Sequence, residues 1–266
     1  MESQQPQISD VKLLWLGHAG FKLTFNADGT ERVIYIDTWL GNPKLPDVMK
    51  NEAGEPVMPT DADLVLVTHG HFDHASSAAD IQKASTKADC AIVAGYELCQ
   101  FYVKRNGVPE ANARGMGRGG TFDFGFAKVT MTSADHSSSC GFTDDGCPMY
   151  SGGAAGFVIR LANGVSIYHA GDTGVFGDMR IIDDLYKPTH LLLPIGGNFT
   201  MGPEEAAYAV KNFLTTATTI IPMHFMTFPL LKGDYPEFVA ECERQGVAGK
   251  TIVNSYQDAL GKWLSL

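Results

Sequence analysis

The chain has 266 residues, 44% of them hydrophobic and 19% charged, and its 30 acids against 20 bases give a formal net charge of −10. That length fits one large α/β domain or two small ones, and the acidic balance argues against a protein that grips a phosphate backbone. No apolar run approaches the roughly 18 residues of a membrane span, the polar start MESQQPQISD carries no secretory signal, and five scattered cysteines without a CxxC pair support neither a zinc ribbon nor a disulfide framework. Cys140 and Cys147 are near enough in sequence for a local bridge, which a cytosolic setting disfavours. The expectation is a cytoplasmic protein with no membrane and no nucleic acid among its partners.

Residues 1–10 read as a polar leader. VKLLWLGHAGFKLTF, from Val11, reads as a strand, a Gly-containing turn and a second strand. NADGT (26–30) is a turn signal, and a third strand ends at Asp37. Residues 41–60 are Pro- and Gly-rich without a period, which predicts a long surface loop. Strands and helices then alternate. Strands are expected at 63–68, 91–94, 128–133, 190–194, 219–222 and 251–253. Helices are expected at 76–87, 96–106, 176–186, 203–214 and 236–245, with Pro203 at a first helical position. A hairpin is expected from 156–161 and 165–169, and loops at 113–120 and 137–153. No low-complexity linker interrupts this order, so residues 11–266 read as one domain. The expected class is α/β, with a two-sheet core and helices outside.

The chemistry concentrates in THGHFDH, Thr68 to His74, where three histidines and one aspartate follow a buried strand. On a loop, residues two apart can point to one side, so His69 and His71 can grip one ion while Asp73 and His74 turn toward a second position. Imidazole and carboxylate are the ligand set of zinc and similar divalent ions. Leaving such a cluster buried without a ligand is costly. His136, Asp172 and His224 each stand at or beyond the end of an expected strand, where loops of open α/β layers converge on sites. Five histidines and two aspartates suffice for two adjacent metals, with a shared carboxylate and an open position for water.

The order HxHxDH, a later His, an Asp in a GD pair and a final His resembles the metallo-β-lactamase superfamily. WLGHAG (15–20), HSSS (136–139), IYHAGDTGVFGDM (167–179), LLPIGGNFTMGPEEA (192–206) and IPMHFMTFP (221–229) are similar to its UlaG-like branch, and within it to the UPF0173 type. The likeness runs from about Val11 to Phe238. It implies a four-layer αββα sandwich with metals at one edge between the sheets. His69, His71 and His136 would hold one metal; Asp73, His74 and His224 the second; Asp172 would bridge them. Asp73 and His74 are the expected catalytic pair, and Asp73 could orient or shuttle a proton. His71 stands where members with diiron-oxygen chemistry usually carry Glu, which favours hydrolysis.

The resemblance thus implies a dinuclear hydrolase, probable zinc with manganese, nickel or iron as alternatives, that uses a metal-bridging hydroxide. Its expected substrate is a small ester, lactone, amide or phosphodiester, and the branch's sugar-phosphate lactonase suggests an anionic one. A nuclease, a mononuclear-iron dioxygenase and a non-catalytic metal binder are the alternatives. His18, Asp37 and His169 are candidates to touch the ligands or substrate. Asn198, Phe199, Thr200 and Met201, in a loop before a helix, are candidates to line the substrate pocket. Arg114 and Arg118 are weaker candidates to meet an anion, and His190 reads as structural. Ser137 to Ser139 lack a G-x-S-x-G elbow and do not read as nucleophiles.

Overall fold

A computed structural model describes residues 5–266, so residues 1–4 of the expected leader lie outside the described residues. The first half of the chain holds β1 (Ile8–Trp15), β2 (Phe21–Ala27), β3 (Thr30–Ile36), β4 (Leu64–Leu66), the helical turn α1 (Phe72–Ala75), α2 (Ala78–Ala84), β5 (Ala91–Gly95), α3 (Tyr96–Asn106) and β6 (Ala113–Met116). The second half holds β7 (Thr121–Asp123), β8 (Lys128–Ser133), β9 (Ser139–Phe142), β10 (Pro148–Tyr150), β11 (Ala155–Arg160), β12 (Ser166–His169), α4 (Met179–Tyr186), β13 (His190–Pro194) and α5 (Pro203–Asn212). It ends with β14 (Thr219–Met223), α6 (Tyr235–Arg244), β15 (Thr251–Ile252) and β16 (Trp263–Ser265).

Two seven-stranded sheets form among the described residues, in the orders β16-β1-β2-β3-β4-β5-β6 and β15-β14-β13-β12-β11-β8-β7. Each sheet runs from an antiparallel meander into parallel strands. In the first, β1, β2 and β3 pair antiparallel and β3 to β6 pair parallel. In the second, β8, β11 and β12 pair antiparallel and β12 to β15 pair parallel. The loops that leave the carboxyl ends of the parallel strands open at one edge of both sheets, which is where the site lies.

Alternation along the strands explains the layers, because successive side chains point to opposite faces. Leu13, Trp15, Ile34, Ile36, Leu64 and Leu66 enter a core shared with Val129, Met131, Phe157 and Ile159 of the second sheet. Their neighbours Leu14, Val33, Tyr35, Val65 and Ile92 point the other way, onto Ala78 and Ile81 of α2 and Leu98 and Tyr102 of α3. With both faces buried, these strands read as continuous apolar runs. On the far side, α4, α5 and α6 add Met179, Ile182, Ala206, Val210 and Phe238 to the core of the second sheet. Each such side chain taken out of water contributes about 1.5–3 kcal/mol. The fold is the α/β four-layer arrangement expected.

Several local expectations are corrected. The leader ends early, since Ile8 to Asp10 already belong to β1 and pair with β2. The expected loop 113–120 contains β6, which pairs parallel with β5 at the sheet edge. Its glycine signal reflects packing: a Cβ at Gly115 would stand 3.1 Å from Tyr96 Cα. The expected loop 137–153 carries the β9–β10 hairpin. The expected helix 76–87 is two pieces, α1 and α2, because Ser77 leaves the helix and its hydroxyl accepts from Leu40 N at 3.0 Å. β16 gave no sequence signal; it is held by pairing with β1. All five cysteines are free thiols, Cys140 buried and Cys147 exposed. Among the described residues no helix is long and apolar enough to cross a membrane.

Candidate metal centre

The loop after β4 begins with His69 and ends in α1, which starts one residue after His71. His71 is extended, with φ −64° and ψ 148°, and brings its ring beside that of His69, while the helical turn that follows carries Asp73 and His74. His69 Nε2 and His71 Nδ1 are 3.0 Å apart, and His136 Nε2 from the loop after β8 is 3.3 Å from the same Nδ1. Asp172 follows β12 through Gly171, whose φ of +64° suits glycine. A Cβ at Gly171 would stand 2.4 Å from Ala155 O, so the turn that aims Asp172 requires the missing side chain. His224 follows β14 with φ +53°, and its N–H donates to His18 O at 3.0 Å.

Asp172 is the centre of this arrangement. Its Oδ2 lies 4.0 Å from His69 Nε2, 3.7 Å from His136 Nε2 and 3.0 Å from His224 Nε2. Its Oδ1 lies 3.3 Å from His74 Nε2. Asp73 Oδ2 lies 3.8 Å from His224 Nε2 and 4.0 Å from His74 Nε2. Ligand atoms of His69, His71 and His136 fall within 4.8 Å of one another, as do those of His18, Asp73, His74 and His224 and those of His69, His74 and Asp172.

Buried polar atoms normally have partners. Here His74 Nε2, Asp172 Oδ1 and both ring nitrogens of His224 are buried without an aligned hydrogen bond. Lone pairs of imidazole and carboxylate converge, and the donor set fits divalent cations.

A second ring of contacts orients these groups. Asp37, after β3 with φ +42°, accepts from His74 Nδ1 at 2.7 Å, from Thr68 N at 2.8 Å and from Thr68 Oγ1 at 2.6 Å. Because the Thr68 hydroxyl donates to Asp37, its lone pair accepts from His69 Nδ1 at 3.0 Å. Both imidazoles are thereby held with the proton on Nδ1 and Nε2 free. His18, in the β1–β2 turn with φ +54°, reaches Asp73 Oδ2 through Nε2 at 3.0 Å and Thr227 Oγ1 through Nδ1 at 3.0 Å. Left-handed backbone at such non-glycine residues costs about 1–3 kcal/mol each and persists where surrounding structure enforces it.

Electrostatics sort the histidines. Burial, then the neighbouring His224, push His18 down to about 4, so it is neutral at physiological pH. Burial and neighbouring imidazoles lower His69, His71 and His136, which keeps them in the neutral, ligating form. Burial also pushes His74 and His224 down, but the surrounding carboxylates, Asp172 first among them, together outweigh it and raise both. Burial pushes Asp73 and Asp172 up, and the imidazoles of His74 and His224 outweigh it, holding both carboxylates below their ordinary range.

All seven residues expected as ligands come together, and His18 and Asp37 touch members of the cluster. His169 touches no ligand side chain. Its Nε2 donates to Ala19 O at 2.9 Å and its Nδ1 accepts from Gly171 N at 3.1 Å, so it braces two site loops through their backbones. Asn198 is exposed, and the Thr200 hydroxyl bonds Met201 O at 3.2 Å; their neighbour Phe199 lines the cavity instead. Arg114 bonds Ala111 O and Arg118 lies against Gly153, both away from the cavity lining. His190, bonded to Thr189 Oγ1 at 2.8 Å, is also apart.

Sequence reading missed Thr68, Thr227 and Ser138, whose hydroxyl accepts from Gly70 N at 3.1 Å and ties down the metal loop. Only the position of Thr68, directly before His69, offered a signal. Of the aromatic wall it named only Phe199. A cavity of about 640 Å³ opens beside the cluster, with His71, Asp73, His136, Asp172 and His224 on one side and Phe72, Phe199, Phe228, Pro229 and Leu230 on the other.

Residues 32–225 match the β-lactamase superfamily domain. A UPF0173 metal-dependent hydrolase of Methanosarcina barkeri is 45% identical over 247 residues, covering 91% of this chain and 95% of that protein. One of Rubrobacter xylanophilus is 39% identical over 258 residues, covering 97% and 99%. Among solved structures, a metallo hydrolase of the archaeon Ignicoccus hospitalis is 29% identical with a TM-score of 0.75, covering 97% of this chain and 99% of that one.

Proposed function

The chain belongs to the β-lactamase superfamily as a UPF0173 metal-dependent hydrolase, and we propose that its seven-residue cluster holds two divalent ions for the hydrolysis of a small-molecule substrate. One observation carries the two-ion reading: four imidazoles stand 3.0–4.0 Å from the single carboxylate of Asp172, those of His69, His136 and His224 about Oδ2 and that of His74 at Oδ1. In this reading His69, His71 and His136 hold one ion, Asp73, His74 and His224 hold the other, and Asp172 reaches both. The donors suit zinc, and manganese, nickel and iron accept the same set.

When bound, the ions supply Lewis acidity, lowering the pKa of a water and polarising the oxygen of an ester, lactone, amide or phosphodiester. The chain's own residues supply the rest. Asp37 and Thr68 hold His74 and His69 in the ligating tautomer. Asp73 faces the cavity with its Oδ2 held by His18, so it is placed to hold or move a proton during attack.

The test is elemental analysis of the purified protein with a panel of ester, lactone, amide and phosphodiester substrates, beside Asp172→Ala. Two equivalents of divalent metal are expected in the wild type. The variant should lose metal and fall on the order of 10³-fold in kcat/KM, since ligand-held charge stabilisation is worth several kcal/mol. A variant that keeps two metals and full activity overturns the assignment.

A further inference from the structure

We infer that the substrate carries an uncharged aromatic or branched apolar arm, seated on the wall made by Phe72, Phe199, Phe228 and Leu230 while the scissile group faces Asp73 and Asp172. The expectation of an anionic substrate finds no support in the cavity, because no lysine or arginine is among its lining residues.

The wall is built in place. Trp39 stacks on Phe228 with centroids 5.7 Å apart and meets Phe72 edge-on at 5.4 Å, and Phe72 and Phe228 are 6.2 Å apart. Phe228 also packs edge-on against His18 at 5.4 Å, and His18 holds Asp73. The aromatic group is thus fixed to the same residue that fixes the site. Phe72, Phe199 and Leu230 are about half exposed or more, at 60%, 49% and 54%. Scattered exposed apolar residues are ordinary, but three converging on one cavity beside titratable groups mark a binding surface. Rigid rings bind with little loss of conformational freedom. A phosphate on the arm would lie on this wall without a counter-ion, at a desolvation cost nothing there offsets.

This inference rests on the hydrolase reading for its first experiment and stands apart from it in the second. The first compares metal-loaded protein on methyl phenylacetate and methyl phosphonoacetate, which share a leaving group. Methyl phenylacetate should be preferred about tenfold or more in kcat/KM, and Phe228→Ala, Phe199→Ala and the exposed-site variant Leu230→Lys should each reduce that preference about tenfold. A preference for the phosphonate, or a preference the three variants leave unchanged, overturns it. If neither ester is cleaved, ester hydrolysis is what fails, and the wall is judged by fluorescence of the neutral dye N-phenyl-1-naphthylamine on the same protein. Binding weakened about tenfold by Phe228→Ala and Phe199→Ala supports the wall. Absence of binding, or equal binding to wild type and variants, overturns it.

Discussion

In the first half of the chain one loop, after β4, delivers His69, His71, Asp73 and His74 together. In the second half His136, Asp172 and His224 arrive singly, from the ends of β8, β12 and β14. Both sheets run from antiparallel into parallel strands, so the difference lies in how each side chain is held. His74 and His69 are oriented by side chains, through Asp37 and Thr68. His224 makes no aligned hydrogen bond through its ring, and its position comes from backbone: φ +53° and a bond to His18 O. Glycines make that backbone possible. A Cβ at Gly196 would stand 2.2 Å from His224 O, and one at Gly171 2.4 Å from Ala155 O. The ring orientation of His69 and His74 is therefore set by polar side chains, while the placement of His224 depends on close approach of main chains.

Gly196→Ala should break the second device. The His224 carbonyl must shift, and a displacement near 1 Å at a site costs about 10²-fold in kcat/KM. Activity and melting temperature measured together separate this from unfolding. Asp37→Asn should break the first device while keeping a residue that tolerates positive φ. Metal affinity in a chelator competition should fall about 10–100-fold. Wild-type affinity in that variant would remove the side-chain half of the contrast. Thr68→Val removes two hydrogen bonds, to Asp37 and from His69, and should cost about tenfold, the low end of about 0.5–1.5 kcal/mol for each.

The smallest effect concerns a side-chain network in the first half away from the metals. Asp61 bonds Lys22 at 2.6 Å and Tyr35 at 2.9 Å. Burial pushes its carboxyl up, but Lys22 and Tyr35 outweigh this and lower it. A lowered carboxyl stabilises the fold above its unfolded value of about 3.9, and that stability is lost as pH falls through the lower folded value. Asp61→Asn should therefore cost stability at pH 6 and much less at pH 3. The difference should stay below about 1 kcal/mol, since the side chain is 42% exposed and solvent screens the pair. Denaturant midpoints at the two pH values check it.

Legibility in the sequence follows the same division. THGHFDH is conspicuous because ligands two and three residues apart serve one place locally, and no amphipathic element explains them. Most core strands announced themselves as apolar runs. β6, β9, β10 and β16 did not, because their pairing depends on partner backbone rather than on their own side chains. His18 and Asp37 were visible as polar residues at turns and strand ends. Phe228 and Trp39 were not, because a phenylalanine four residues past His224 and a tryptophan two past Asp37 look like any loop aromatics until the loops meet.

By itself the sequence determined the chemistry of the donor set, the strand-rich α/β character and the places where loops should carry function, since residue type and local spacing are properties of the chain alone. Tertiary structure decided that four imidazoles converge on Asp172, that His18 binds Asp73 across 55 positions, and that apolar side chains without a cation line the cavity beside the cluster. Those relations arise when two sheets bury a common core and bring their loop edges together, a juxtaposition fixed by packing and not by any local pattern.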